Sequence, residues 1–280
     1  MIKSKYKKFY EHLGRVYPEE KYVHRSGWGR ARKRFVSILL SKYTRDGLWL
    51  DVGCGAGIFL KMFPSFGAGK SIGIDISHPV LMRAKRNCTG IHAICADAEA
   101  IPLKDSSMNL ILSSENVEHL EHPKRFFSEV SRILSRNGVI ILTCPNWHKI
   151  KPVCIPAGVL RHFGIPDESF IHTAFNPDEL SDMALTVGLN PIEKGSFECE
   201  MRIWGRIHDS IWDGIIRIME KLHIPAVAIK LAYCLQSYSS GIIFQFFRIT
   251  GLAWLMRRVF HRGPRSYIVA TKSVDSSNPH

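Results

Sequence analysis

The sequence predicts an α/β fold, a Rossmann-like and mostly parallel seven-stranded sheet with helices on both faces. Three observations carry this. The apolar run Leu48-Trp49-Leu50 leads into Asp51-Val52-Gly53-Cys54-Gly55-Ala56-Gly57, a buried-strand pattern that ends in three glycines at alternate positions. Strand patterns then alternate with helix-length segments, which is the rhythm of βαβ units with right-handed crossovers. The second and third strand patterns each close on an acid, Asp75 and Asp97.

Residues 1–46 read as a basic, mostly helical lead-in, with Phe35, Ile38, Leu39 and Tyr43 at helical spacing between Arg34 and Tyr43. Strands are expected at Leu48–Val52, Ser71–Ile76, Ile91–Ala96, Leu110–Ser113 and Val139–Thr143, with helices at Ile58–Phe63, Pro79–Asn87 and Arg125–Leu134 between them. Ile150 to Phe170 is rich in Pro and Gly and reads as a cover over the sheet edge. Asn176-Pro177-Asp178-Glu179 starts a further helix: Asn176 caps, Pro177 fits the first turn and both acids face the positive end of the dipole. Gly188 stops it, and Asn190–Phe197 is a sixth strand. Residues 200–264 are helical in pattern, mixing apolar and aromatic residues with Arg and Lys. Ser266–Lys272 then resumes as the last strand. The division is therefore 1–46 basic segment, 47–199 ligand-binding core, 200–264 hydrophobic and basic helical insertion, 265–280 last strand and tail.

The chain of 280 residues is 45% apolar, which suits one large domain with an insertion and argues against disorder. The formal net charge is +13. Residues 1–45 hold 13 Lys/Arg against 3 Asp/Glu, a pattern that fits a solvated face or a segment that binds RNA, DNA or anionic lipid surfaces. Seven cysteines without a Cys-x-x-Cys pair argue against a disulfide framework and a zinc site, so no metal is expected and a reducing cytoplasmic compartment fits. Met1 to Lys8 is followed by Phe9-Tyr10-Glu11-His12 rather than an apolar core, so no secretory signal is read. The longest charge-free stretch, 231–247, is too short and too diluted by Ser and Gln to span a bilayer.

In the glycine turn, positive φ and the missing Cβ let a ligand come close to backbone. Asp75, closing the second strand, is placed to accept from ribose hydroxyls, and Asp97 from an exocyclic amine such as that of adenine. With these in place the chain resembles the class I S-adenosylmethionine-dependent methyltransferases, the broad group that includes quinone-biosynthesis enzymes. Asp51, Gly53, Gly55 and Gly57 match the first motif, Asp75 the ribose acid and Asp97 the adenine acid. Asn116-Val117-Glu118-His119-Leu120, Leu134-Ser135-Arg136-Asn137-Gly138 and His172-Thr173-Ala174-Phe175 are further matches. Asn109 departs from the acid usual before the fourth strand, and 200–264 has no counterpart.

The resemblance implies an antiparallel last strand and S-adenosylmethionine as cofactor, held by Asp51, Gly53, Cys54, Gly55, Gly57, Asp75, Ile76, Asp97, Ala98 and Ser114. It also separates this site from a dinucleotide site, whose third glycine would stand one position later. A methyl sulfonium is already activated, so the protein aligns the acceptor and excludes water. A base is needed only if the acceptor loses a proton, and His119, His172 and Glu115 are the candidates.

The motifs of amino-directed nucleobase and cytosine-C5 methylation are missing after the fourth strand, where Ser113-Ser114-Glu115-Asn116 stands. A small-molecule acceptor is expected, hydrophobic or lipid-like, with nucleic acid disfavoured. The composition of 200–264 suits helices lying in a membrane interface, a lid or a subunit contact. The expected location is cytoplasmic, peripheral on the membrane if that segment docks there. The alternatives are an RNA or protein methyltransferase using the basic N-terminal arm, and a non-catalytic cofactor-fold protein.

Overall fold

The structure is a computed structural model, and it describes residues 2–146, 162–164 and 173–272. Seven strands form one sheet: β1 (Leu48–Val52), β2 (Lys70–Asp75), β3 (Ile91–Cys95), β4 (Met108–Ser114), β5 (Leu134–Pro145), β6 (Leu189–Phe197) and β7 (Arg265–Lys272). Their spatial order is β3-β2-β1-β4-β5-β7-β6. β1 to β5 run parallel, and β7 is antiparallel to both β5 and β6. The strand order reverses between β1 and β4, so a crevice opens there at the carboxyl ends of the parallel strands.

Period-2 alternation divides the core into two layers. Leu50, Val52, Ile111, Ile140 and Leu142 face one side, under Phe126, Phe127 and Val130 of α5 (Pro123–Ile133) and Leu180 of α6 (Pro177–Leu185). Trp49, Leu110, Leu112, Val139 and Ile141 face the other, under Val36, Leu39 and Leu40 of α3 (Gly27–Lys42) and Leu81 of α4 (His78–Asn87). Each fully buried side chain of this kind contributes roughly 1.5–3 kcal/mol. Trp49 is wholly buried and its indole N–H donates to the Arg45 carbonyl at 2.6 Å, so the largest core residue leaves no unpaired donor. Asn109, the departure from the family pattern, accepts from the Leu48 N–H at 2.9 Å and secures the start of β1.

The α6 start forms as its sequence dictates. Asn176 accepts from the N–H groups of Asp178 and Glu179, and the Glu179 carboxylate accepts from the Asn176 N–H, a complete capping box. One expected element is different. Ile58–Phe63 is not an α-helix but a run of turns that mixes i→i+3 and i→i+4 bonds and ends in a 3-10 turn at Phe63–Phe66. Gly57, just before the first residue of the expected helix, sits at φ +83°, and Pro64 restricts the residue before it, so the segment is closed at both ends.

The N-terminal residues form α1 (Ile2–Val16), α2 (Glu19–Tyr22) and α3, and the insertion forms α7 (Trp204–Lys221), α8 (Ala226–Ile249) and α9 (Leu252–Val259). The two parts are locked together. A Cβ on Gly27 would lie 2.7 Å from the Ser240 carbonyl oxygen, and the Gly27 N–H donates to the Ser240 hydroxyl at 3.0 Å. The Trp28 indole donates to Asp209 of α7 at 2.9 Å. The Pro/Gly-rich cover expected over 150–170 lies outside the described residues except for 162–164.

Candidate active site

The turn after β1 is stitched to β2 by the N–H groups of Gly53 and Cys54, which donate to the Ile74 carbonyl at 2.8 and 2.9 Å. All three glycines have positive φ: +74° at Gly53, +52° at Gly55 and +83° at Gly57. They serve different purposes. A Cβ on Gly53 would lie 2.6 Å from the Asn116 side chain, and one on Gly57 would lie 2.8 Å from the Cys88 sulfur. A Cβ on Gly55 would meet nothing within 4 Å. Two glycines thus let the turn pack, and the middle one keeps its outer face open.

That open face borders a cavity of about 250 Å³. Gly53, Cys54, Gly55, Asp75, Ile76, Asp97, Ala98 and Ser114 all line it, as do Glu115 and His119. Asp51 and Gly57 stand behind this wall rather than in it. Asp51 is 1% exposed and its Oδ2 has no hydrogen-bond partner. Burial, with the nearby Asp75 charge second, pushes its carboxyl up to about 8. Asp75 accepts from the Gly55 N–H at 3.0 Å and the Ser77 N–H at 2.8 Å. Burial raises its proton affinity, and those two N–H groups and Arg83 partly offset the rise. Asp97 Oδ1 accepts from the Glu99 N–H at 2.8 Å, which fixes the carboxylate at the end of β3.

The roof of this cavity was not legible in the sequence. Tyr10, Leu13, Gly14 and Tyr17, from α1 and the turn behind it, cover it. Arg83 of α4 holds the roof down by donating to the Gly14 carbonyl and by pairing with Glu20 at 3.5 Å. A Cβ on Gly14 would lie 2.3 Å from the Ser77 hydroxyl, so only glycine lets α1 sit this close.

A second cavity of about 1070 Å³ adjoins the first. Tyr17, Glu19, Val23, Arg32, Glu115 and His119 line both. Arg32, Glu115, Glu198 and Arg265 come from four distant parts of the chain and form one charged wall. Glu115 Oε2 lies 3.4 Å from Arg32 Nη1 and pairs with Arg265, whose Nε donates to Glu198 at 2.8 Å. The Thr143 hydroxyl donates to Glu115 Oε1 at 3.2 Å and contacts the Ser114 hydroxyl at 2.9 Å. Arg32 is 4% exposed, and its Nε and Nη2 have no hydrogen-bond partner. Burial raises Glu198, and it pushes Glu118 up to about 8. The inner faces of α7 and α8 complete the cavity with Asp209, Asp213, Arg217, Gln236 and Ser237.

Of the candidate bases, Glu115 and His119 stand at the junction of the two cavities. Glu115 is engaged by two guanidinium groups, and His119 Nε2 lies 3.8 Å from Glu118 Oε1. His172 lies outside the described residues. Cys54 is buried in the turn, and its thiol is raised well above the ordinary range by burial, which leaves it inert and suits a small packing residue.

Residues 50–142, from β1 into β5, match the profile of a family described as a methyltransferase domain. This is a class I S-adenosylmethionine-dependent methyltransferase domain. The chain is 34% identical over 103 residues to an uncharacterised protein of Methanocaldococcus jannaschii, covering 37% of this chain and 47% of that one. It is 27% identical over 145 residues to a malonyl-[acyl-carrier protein] O-methyltransferase of Marinomonas sp., covering 50% and 52%. The phosphoethanolamine N-methyltransferase 2 of Haemonchus contortus, solved with phosphomonomethylethanolamine and S-adenosylhomocysteine, shares the fold. Its TM-score is 0.58 at 16% identity, with 95% of this chain and 61% of that one covered. The chain spans about half the length of the curated relatives it matches. The methyltransferase domain takes S-adenosylmethionine as its cofactor. The open face over Gly55 and the carboxylates of Asp75 and Asp97 on the same cavity fit a nucleoside ligand laid against the turn.

Proposed function

We propose that this protein transfers the methyl group of S-adenosylmethionine to a small-molecule acceptor held in the larger cavity. The observation that carries the reading is the shared wall. The cavity over the glycine turn opens onto a second one about four times its size, and Arg32, Glu115 and His119 stand at the passage. When bound, the cofactor supplies an activated methyl sulfonium. In this reading Asp75 accepts from the ribose hydroxyls, Asp97 from the adenine amine, and Ile76 and Ala98 pack on the ring. The turn Gly53-Cys54-Gly55 gives room to the methionine portion, and Ser114 closes the side nearest β4. Asp51 and Gly57 act from behind, by shaping the turn. The roof from α1 excludes water. A proton leaving the acceptor would pass to His119 or Glu115, with His172 a further candidate.

The charged wall refines the acceptor. A purely hydrophobic molecule would leave the unpartnered Nε of Arg32, Oε2 of Glu118 and Oε1 of Glu198 with no polar contact in a dry site. An amphiphile fits better, with a polar or charged head at the passage and an apolar body extending away. The N-terminal segment is less suited to act as an RNA-binding arm. Its Arg32 is buried in the cavity wall and its Lys42 pairs with Glu193 at 2.6 Å. The deciding experiment incubates the protein with labelled S-adenosylmethionine and a lysate, then separates lipid, RNA and protein fractions. Label in the lipid or small-molecule fraction supports the reading. Label in RNA or protein alone overturns it.

A further inference from the structure

The insertion carries apolar side chains on its outer face as well as its inner one. Inward, Ile216, Ile229, Ala232 and Phe244 are buried, and Asp209, Asp213, Gln236 and Ser237 line the larger cavity. The faces that look outward carry apolar stripes of their own. On α7 the exposed series is Trp204, Ile207, Ile211, Ile215 and Ile218, continued by Leu222 just past its end; on α8 it is Val227, Leu231, Leu235, Tyr238, Ile242, Phe246 and Ile249. Both advance in steps of three or four, so each forms one continuous stripe. Among the described residues, all but four of the exposed large apolar side chains fall between Ile203 and Val259. A helix pair in water keeps its outward face polar, so these exposed stripes suit an apolar surrounding.

Charge selects the occupant. From Lys221 to Pro264 the sequence holds six Lys/Arg and no Asp/Glu. Lys221 and Lys230 stand where α7 meets α8, and Arg248, Arg257, Arg258 and Arg262 stand at the opposite end, beside the exposed Trp254 of α9. The Arg258 guanidinium lies over the Trp254 ring at 4.4 Å. No helix among the described residues is long and apolar enough to cross a membrane. An apolar stripe with cations at both ends and a tryptophan at the rim is complementary to an anionic bilayer surface, with the helices lying in its plane. We infer that the outer face of α7, α8 and α9 docks on anionic lipid membrane. The same two helices then face lipid on one side and the acceptor cavity on the other, which places that cavity beside a membrane-borne amphiphile.

The test is co-sedimentation of the full chain with phosphatidylcholine vesicles, with and without phosphatidylglycerol. Binding is expected with the anionic vesicles and is expected to weaken with salt. Leu231→Glu/Leu235→Glu, two exposed changes that touch no core residue, should lower it about tenfold or more. Arg248→Gln/Arg258→Gln should remove the preference for anionic lipid. Calorimetric binding of S-adenosylhomocysteine by each variant is the check on folding, and retained binding is expected. Failure of the wild-type chain to sediment with either vesicle overturns the inference, as does a dimer in ultracentrifugation that the Leu231→Glu/Leu235→Glu variant dissolves. Because this readout needs no methyl transfer, an inactive protein that still binds anionic vesicles would refute the proposed activity and leave the docking face standing.

Discussion

Asp51 gives the sharpest stability prediction. Its carboxyl is fully enclosed, has an unpartnered oxygen, and is pushed from 3.8 up to about 8 by burial and by the Asp75 charge. Folding therefore favours the protonated form. An acid whose folded pKa is raised contributes stability that is complete below its unfolded value and is lost as pH rises through the folded one. The window here is pH 4 to 8. Each pH unit inside it is worth about 1.4 kcal/mol, so between pH 5 and 8 Asp51 removes on the order of 4 kcal/mol from the cofactor-free protein. His24 works in the opposite sense. Burial and the neighbouring Arg32 and Lys33 push it down to about 3, so stability rises with pH up to its unfolded value of 6.5. Comparison with Asp51→Asn cancels His24 and every other group common to both proteins. Urea unfolding at a series of pH values is the assay. The expected result is a wild-type stability that falls relative to the variant as pH rises from 5 to 8. Parallel curves, or a wild type that gains on the variant over that range, would refute the argument.

Three other changes probe the site. Asp75→Ala should weaken cofactor binding by about 1–3 kcal/mol, read by calorimetry, since it deletes the acceptor at the end of β2 and frees the Gly55 N–H it holds at 3.0 Å. Gly53→Ala should cost about 1–3 kcal/mol of stability, because the backbone there is at φ +74° and the new Cβ would meet Asn116 at 2.6 Å; urea denaturation reads it. Arg32→Met should destabilise the fold by about 3 kcal/mol in the same assay. It removes a cation 3.4 Å from Glu115 and leaves the buried acids of that wall with Arg265 alone.

Local signals in the sequence carried far. Leu48-Trp49-Leu50 before alternating glycines specifies β1 and its turn, and Asn176-Pro177-Asp178-Glu179 specifies the start of α6, because in both cases the deciding physics lies within a few residues. Asp75, Asp97 and Ser114 meet around one cavity because parallel strands end on one edge of the sheet. Ile58–Phe63 has the apolar spacing of a helix, but Gly57 and Pro64 close the segment before a helix can propagate. The wall of Arg32, Glu115, Glu198 and Arg265 was invisible for a different reason. Each residue is an ordinary surface type in its own neighbourhood, and only the pairing of β5 with β7 and the docking of α3 bring them together. The stripes on α7 and α8 were visible as apolar spacing, but periodicity cannot say which face of a helix turns inward.

Everything proposed for the site requires that one nucleoside sulfonium ligand occupy the space over Gly55. Titration calorimetry of the folded, full chain with S-adenosylhomocysteine tests this most directly. One ligand per chain, with binding weakened by Asp75→Ala, is the predicted result. A well-folded protein that releases no heat with this compound or with S-adenosylmethionine would contradict it.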